Sequence, residues 1–151
     1  LKNFNENMDL IAYALMPNHF HFLVKQTDED TIDHFLNALG TRYVGYFNRK
    51  YKRVGPLFQG VYKAVLIGSE QQFLHLSRYI HLNPIKIQRP NLPSSLPEFL
   101  ERTKIEWLKP DCILNYFSKS NPNNTYATFM KESIDAGFVA ESAIDFEDEI
   151  I

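Results

Sequence analysis

From Asp9 the chain runs Leu10-Ile11-Ala12-Tyr13-Ala14-Leu15-Met16, a short apolar stretch that predicts a buried strand. Pro17-Asn18 is a turn signal. His19 to Lys25 then alternates faces as a second strand, so the two form an antiparallel hairpin with a histidine just past the turn. A polar loop, 26–30, leads to a helix from Thr31 to about Arg53, capped by Asp30 or Thr31. Ile32, Phe35, Leu36, Leu39, Tyr43, Tyr46 and Phe47 recur along it at helical spacing. Gly55-Pro56 breaks the pattern, and Val61 to Ile67 predicts a third strand. Ser69 with Gln72 three residues on is a capping-box pattern. It opens a helix over 69–83 that Pro84 ends or nearly ends.

Beyond this the pattern is less regular. Pro90, Pro93 and Pro97 mark a connection. Short helices are expected over 96–106, 111–118 and 125–136, with Trp107-Leu108 as an apolar anchor and an acidic tail from Glu141 that frays or stays disordered. The order strand, strand, helix, strand, helix is that of a ferredoxin-like (split βαβ) fold short of its first strand and helix, with a helix added after the last strand. The expected fold class is therefore α+β: an antiparallel sheet with helices on one face and a C-terminal helical extension. The expected division is residues 1–89 as the main domain, N-terminally incomplete because the chain opens on Leu1, and 90–151 as the extension.

Composition changes this picture little. An apolar content of 44% over 151 residues supports one domain with an appendage. No apolar run approaches the length of a membrane span and no signal peptide is visible. The single cysteine, Cys112, excludes an internal disulfide framework, suits a reducing cytosol and reads as a small core residue.

Charge changes it more. The net charge is −2, but residues 1–110 hold fourteen Lys/Arg against ten Asp/Glu, and residues 111–151 hold two against eight. A mildly basic body with an acidic tail keeps a nucleic-acid partner open where the net value would not. The end of the first helix carries Arg49, Lys50, Lys52 and Arg53 beside Tyr46, Phe47 and Tyr51. Cations there suit the helix dipole, and equally would meet phosphates with aromatic rings ready for bases. Lys63 and Arg78 are further candidate phosphate contacts, each by itself read as surface charge.

The candidate chemistry begins at His19 and His21. Side chains two apart on a strand share a face, so both imidazoles join Leu23 on one side while Phe20, Phe22 and Val24 take the other. Two imidazoles on one face make half a divalent-metal site, although such a pair alone is as readily structural. Tyr79 and Asn83 are one turn apart on the later helix, with Gln72 and His75 on roughly that face. The Asn83 amide oxygen could complete a His19/His21/Asn83 site with open positions, suited to Mg²⁺ or Mn²⁺, although imidazole also suits Zn²⁺. A free tyrosine hydroxyl, with a pKa near ~10, is a weak nucleophile at neutral pH. A metal that polarises a phosphate lets it attack. Against this stand bland readings: a half-buried packing role for Tyr79, a helix-end role for Asn83, a solvated His81, and Tyr13 and Tyr62 as strand core.

Three blocks carry a resemblance. His19-Phe20-His21 matches the His-hydrophobic-His motif of HUH nucleases, and Ala14 to Val24 looks like the strand bearing it in single-tyrosine transposases. Arg53 to Lys63 and Ser77 to Pro84 resemble two further family blocks, in the same order and spacing. The REP-associated tyrosine transposases are the most similar subgroup, over roughly residues 9–89 with a weaker echo in 93–130. The resemblance implies a metal-dependent single-stranded DNA endonuclease and strand transferase. Such an enzyme cuts beside hairpins through a covalent 5′-phosphotyrosine, and would be cytoplasmic and bacterial, with a homodimer as candidate assembly. On matching positions Tyr79 would be the nucleophile and His19, His21 and Asn83 the metal ligands, Asn83 standing where relatives often have Gln. Val61 stands where the family often has Arg. Two alternatives remain: a non-catalytic DNA-binding relative that keeps the fold, and a hydrolase using water as nucleophile, which lacks a general-base carboxylate in any of the three blocks.

Overall fold

The structure is a computed structural model and describes residues 3–132. The expected acidic tail and the last residues of the expected 125–136 helix lie outside the described residues. Two strands, β1 (Met8–Leu15) and β2 (Phe20–Gln26), form a two-stranded sheet. They are followed by α1 (Thr31–Tyr51) and α2 (Glu70–Lys86). Three one-turn helices come next: α3 (Leu96–Phe99), α4 (Asp111–Leu114) and α5 (Tyr126–Phe129). A single 3₁₀ turn at Pro122–Asn124 precedes the last. The class is α+β, with an antiparallel hairpin and helices consistent with a partial ferredoxin-like fold. The chain divides into two compact units, Leu1–Met8 with Gln26–Ala64, and Asp9–Lys25 with Val65–Ile151.

The first unit is built on α1. The Asp30 side chain does not cap it. Instead Gln26 Oε1 accepts from the Ile32 amide at 2.9 Å, and Asp28 accepts from the Thr31 hydroxyl at 2.6 Å and from Asn7 Nδ2 at 2.8 Å. The Thr31 bond, then the Asn7 bond, hold the Asp28 carboxyl below its usual range. The helix ends at Tyr51 because Lys52 turns left-handed, φ 53°, and its amide returns to Asn48 O. Such a single left-handed residue is a common helix stop.

The second unit holds the hairpin and α2. Ile11, Ala14, Leu23, Tyr79 and Ile80 share one core with Phe99, Leu108, Ile113 and Tyr126. The segment after residue 90 therefore packs into the same core as the hairpin, and Leu108 is the buried anchor while Trp107 stays 51% exposed. Backbone pairing adds to this. The Leu15 amide donates to Pro93 O at 2.8 Å, Ser95 N to Tyr13 O at 3.0 Å, and Lys109 N to Leu10 O at 2.9 Å. Isolated bridges join Ala14 to Ser94 and Leu10 to Leu108.

Those bonds account for the main departure from the sequence reading. Residues 61–67 form no strand. The backbone groups of β1 outside its ladder with β2 are met by 93–95 and 108–109, and Val61 and Leu66 are each 93% exposed. Val65 and Ile67 are half-buried, Ile67 against the core, but with no ladder partner the run gains no strand hydrogen bonds from extension. Tyr62 is likewise not strand core; its hydroxyl donates to Asp33. The three late helices are also shorter than expected, one turn each.

Candidate active site

The hairpin sets the histidine pair. Met16 N donates to His19 O at 2.9 Å across the turn, and β2 begins at the next residue. His19 thus stands at the mouth of the strand rather than within it. The alternation still holds: Phe20 and Phe22 stack on one side, ring centroids 4.7 Å apart, while His19 and His21 meet on the other, centroids 4.9 Å apart at 87°. Leu23 continues the histidine face into the core at 3% exposure. The two Nε2 atoms lie 3.1 Å apart. Asn18 Oδ1 accepts from His19 Nδ1 at 2.8 Å. That bond keeps the proton on Nδ1 and leaves the His19 Nε2 lone pair facing His21. Burial, and then the neighbouring His19, pull the His21 pKa down to about 4, so His21 is neutral at physiological pH.

Helix α2 brings in the tyrosine. Ser69 caps it, its Oγ accepting from Gln72 N at 3.1 Å, as the capping pattern predicts. The Tyr79 ring meets the His21 ring edge-on, centroids 5.7 Å apart at 80°, and Tyr79 is only 8% exposed. One turn on, Asn83 is 6% exposed and donates from Nδ2 to Tyr79 O at 3.0 Å. That orients the amide and leaves Oδ1 outside the bond. The helix does not stop at Pro84 but continues through it to Lys86. This matters, because Lys86 Nζ then lies over the Tyr79 ring, 5.0 Å from its centroid. Lys86 is the residue that reading the sequence missed. Its i+7 spacing from Tyr79 was the available signal, hidden by taking the proline as a terminus.

The donor set fits a divalent cation. Two imidazole nitrogens bound ~2.1 Å from one ion at tetrahedral to octahedral angles are roughly 3.0–3.4 Å apart. The observed 3.1 Å separation falls in that range. Among the described residues no group of three His, Cys, Asp or Glu is clustered to hold a metal.

The remaining candidates separate. Arg49, Lys50, Lys52, Arg53 and Lys63 are exposed. Lys50 lies 5.5 Å from the ring centroids of both Tyr46 and Tyr51, and Arg53 lies 5.7 Å from Phe47. The Tyr46 hydroxyl bond, foremost, raises the Lys50 pKa. Arg78 does not carry surface charge: it is 1% exposed. Its guanidinium stacks 4.4 Å from the Phe129 ring centroid and donates to Phe129 O at 2.9 Å. It also lies 3.1 Å from His75 Nδ1 and 3.7 Å from the Glu132 carboxylate. His81 is not solvated either. It is fully buried, and burial pulls its pKa down to about 3. Cys112 is an exposed free thiol rather than a core residue. No described helix is long and apolar enough to cross a membrane.

No curated protein and no solved structure matches the chain. A family model does, the IS200-like transposases, over residues 3–83. That span is more than half of the chain and includes the hairpin, both histidines, Tyr79 and Asn83, so the chain belongs to the IS200-like transposase family, whose members are DNA-cleaving enzymes that generally use a divalent metal.

Proposed function

We propose that this transposase is a single-stranded DNA endonuclease and strand transferase that cuts near hairpins through a covalent 5′-phosphotyrosine on Tyr79. The observation that carries the reading is the meeting of three side chains: His19 and His21 with Nε2 atoms 3.1 Å apart, and Tyr79 packed edge-on against His21. His19, His21 and the Asn83 amide oxygen would hold Mg²⁺ or Mn²⁺. The ion would supply positive charge to the scissile phosphate. Tyr79 Oη attacks phosphorus and gives up its proton to water. The new O–P bond forms as the bond to the 3′ oxygen breaks, and that oxygen leaves as a hydroxyl after taking up a proton. The phosphodiester energy is kept in the phosphotyrosine, ready for rejoining to another 3′ end. Lys86 places a cation beside the same ring and would help neutralise the phosphate.

Residues 1–89 would then form the catalytic portion and 90–151 its extension. The exposed cations at 49, 50, 52, 53 and 63, interleaved with aromatic rings, would follow the DNA backbone. The three sequence blocks favour the REP-associated subgroup, and with it a bacterial, nucleoid-associated setting. The test is incubation with a hairpin-bearing single-stranded oligonucleotide and Mn²⁺ or Mg²⁺, followed by a denaturing gel. The wild type should give a slow-migrating protein–DNA species that Tyr79→Phe lacks while still binding the DNA. An adduct surviving in Tyr79→Phe removes Tyr79 from the role. Repeated absence in the wild type favours a non-catalytic DNA-binding protein.

A further inference from the structure

Tyr79 and Asn83 share one side of α2. Ser77 and His81, two positions before Tyr79 and two after it, fall about 200° away around a 3.6-residue helix, so they occupy the opposite side. That side is tied down by an uninterrupted set of hydrogen bonds. His81 Nδ1 lies 2.8 Å from the Tyr126 hydroxyl, and His81 Nε2 lies 2.7 Å from Ser95 Oγ. The Tyr126 hydroxyl also meets Ser77 Oγ at 3.0 Å. Ser95 in turn brackets Tyr13 of β1: its Oγ accepts from the Tyr13 amide at 2.8 Å and donates to the Tyr13 carbonyl at 3.2 Å. The proton positions at Ser95, His81 and Tyr126 follow from one another, while Ser77 shares its single proton between the Tyr126 hydroxyl and Leu74 O, 2.7 Å away. Ser95 gives its proton to Tyr13 O, so His81 donates from Nε2 to Ser95 and accepts at Nδ1 from Tyr126. Ser77, His81, Ser95 and Tyr126 are all at most 3% exposed.

The bonds close a circuit. β2 carries the histidine pair and is laddered to β1; β1 is bonded to Ser95; Ser95 is bonded to His81; and His81 is two residues from Tyr79 on the same helix. Both halves of the candidate site thus hang on one buried polar junction, which the segment after residue 90 completes. We propose that the His81–Ser95–Tyr126 junction positions the nucleophile, by fixing the rotation of α2 so that Tyr79 faces the His19–His21 pair. This rests on the reading of Tyr79 given above. None of the three residues touches the reacting groups; they act through the helix. The leverage is large: a turn of about 20° about the helix axis moves an atom about 8 Å out by about 3 Å, and misplacement by ~1 Å can cost ~10²-fold in rate. An apolar contact in this place would tolerate such sliding, whereas a histidine bonded at both nitrogens has one satisfied orientation.

The test reads position and chemistry separately, in the full-length chain. Histidine-selective NMR follows the ring-current shift that Tyr79 imposes on the His21 ring protons, with Tyr79→Leu setting its zero. Tyr126→Phe keeps the ring that packs on Phe99 and Phe117, centroids 4.8 and 5.3 Å away, and removes only the hydroxyl. Ser95→Ala breaks the junction at its other end, and serves if Tyr126→Phe folds poorly. Phe117→Leu thins the same aromatic cluster without touching a bond of the junction. The expected result is a His21 shift that moves toward the Tyr79→Leu value in Tyr126→Phe and Ser95→Ala. Adduct formation should slow by at least ~10-fold at unchanged DNA affinity. Phe117→Leu should lower Tm and leave the shift in place. A wild-type shift in both junction variants overturns the proposal, and so does an equal displacement in Phe117→Leu, which would make the effect one of general packing. If the wild type forms no adduct, the nucleophile reading fails while the NMR comparison still decides whether the junction places Tyr79.

Discussion

A tyrosine is not made reactive by being on a helix; its neighbours decide what it can do. Tyr79 has an imidazole ring edge against it and a lysine ammonium over its face, and is 8% exposed. Of these neighbours Lys86 is the one whose role the geometry isolates, because it is an exposed side chain with no part in the core. Lys86→Ala should therefore leave thermal stability within about 0.5 kcal/mol of wild type. Adduct formation should slow by about 10- to 100-fold, as expected for loss of one charge at the reacting phosphate, and Lys86→Arg should recover part of it. An unchanged rate in Lys86→Ala would leave the lysine as a ring-stacking residue only. His19 and His21 were legible from alternation, which is a property of the strand backbone. Lys86 was not, since its place depends on α2 continuing through Pro84. His81 and Arg78 were misread for a related reason. Their burial is imposed by Ser95, Tyr126 and Phe129, which lie 14 to 51 residues away in sequence. Nothing local to either residue carries that information.

At the scale of elements, the hairpin, α1 and α2 follow from periodicity and caps, each within a few residues of its expected bounds. The stretch 61–67 does not follow. Its apolar run has a strand's composition, but strand formation needs a partner, and β1 finds partners in 93–95 and 108–109 instead. This gives a sharp contrast in energies. A leucine in a strand core costs ~2–5 kcal/mol when truncated, whereas an exposed one costs within ~0.5 kcal/mol. Leu66→Lys should accordingly leave the urea midpoint nearly unchanged. A loss of several kcal/mol would show that 61–67 is buried in the working protein, and would restore the third strand.

For the molecule as a whole, the segment after residue 90 is part of the unit that carries the site. Phe99, Leu108, Ile113 and Tyr126 are four of its core side chains. Burying each is worth about 1.5–3 kcal/mol, together comparable with the ~5–15 kcal/mol that holds a whole domain folded. A chain ended after Arg89 should lose cooperative thermal unfolding and near-ultraviolet dichroism even though every candidate catalytic residue is retained. A sharp transition in that truncated chain would instead make the extension a separable appendage, as its looser sequence pattern suggests. Its irregular prolines and one-turn helices hid this role, because what it supplies is pairing for β1 and a buried partner for His81 rather than regular structure of its own.

The proposed function turns on one chemical event, the transfer of a phosphoryl group from DNA to Tyr79. The most direct measurement is proteolytic mapping of the adduct by mass spectrometry, after reaction of the wild type with a hairpin oligonucleotide and Mn²⁺. The expected result is a nucleotide attached through its 5′ phosphate to the peptide containing Tyr79, with a free 3′-hydroxyl on the other DNA product. A phosphoryl group found on another residue, or cleaved DNA with no protein-linked product, would contradict it.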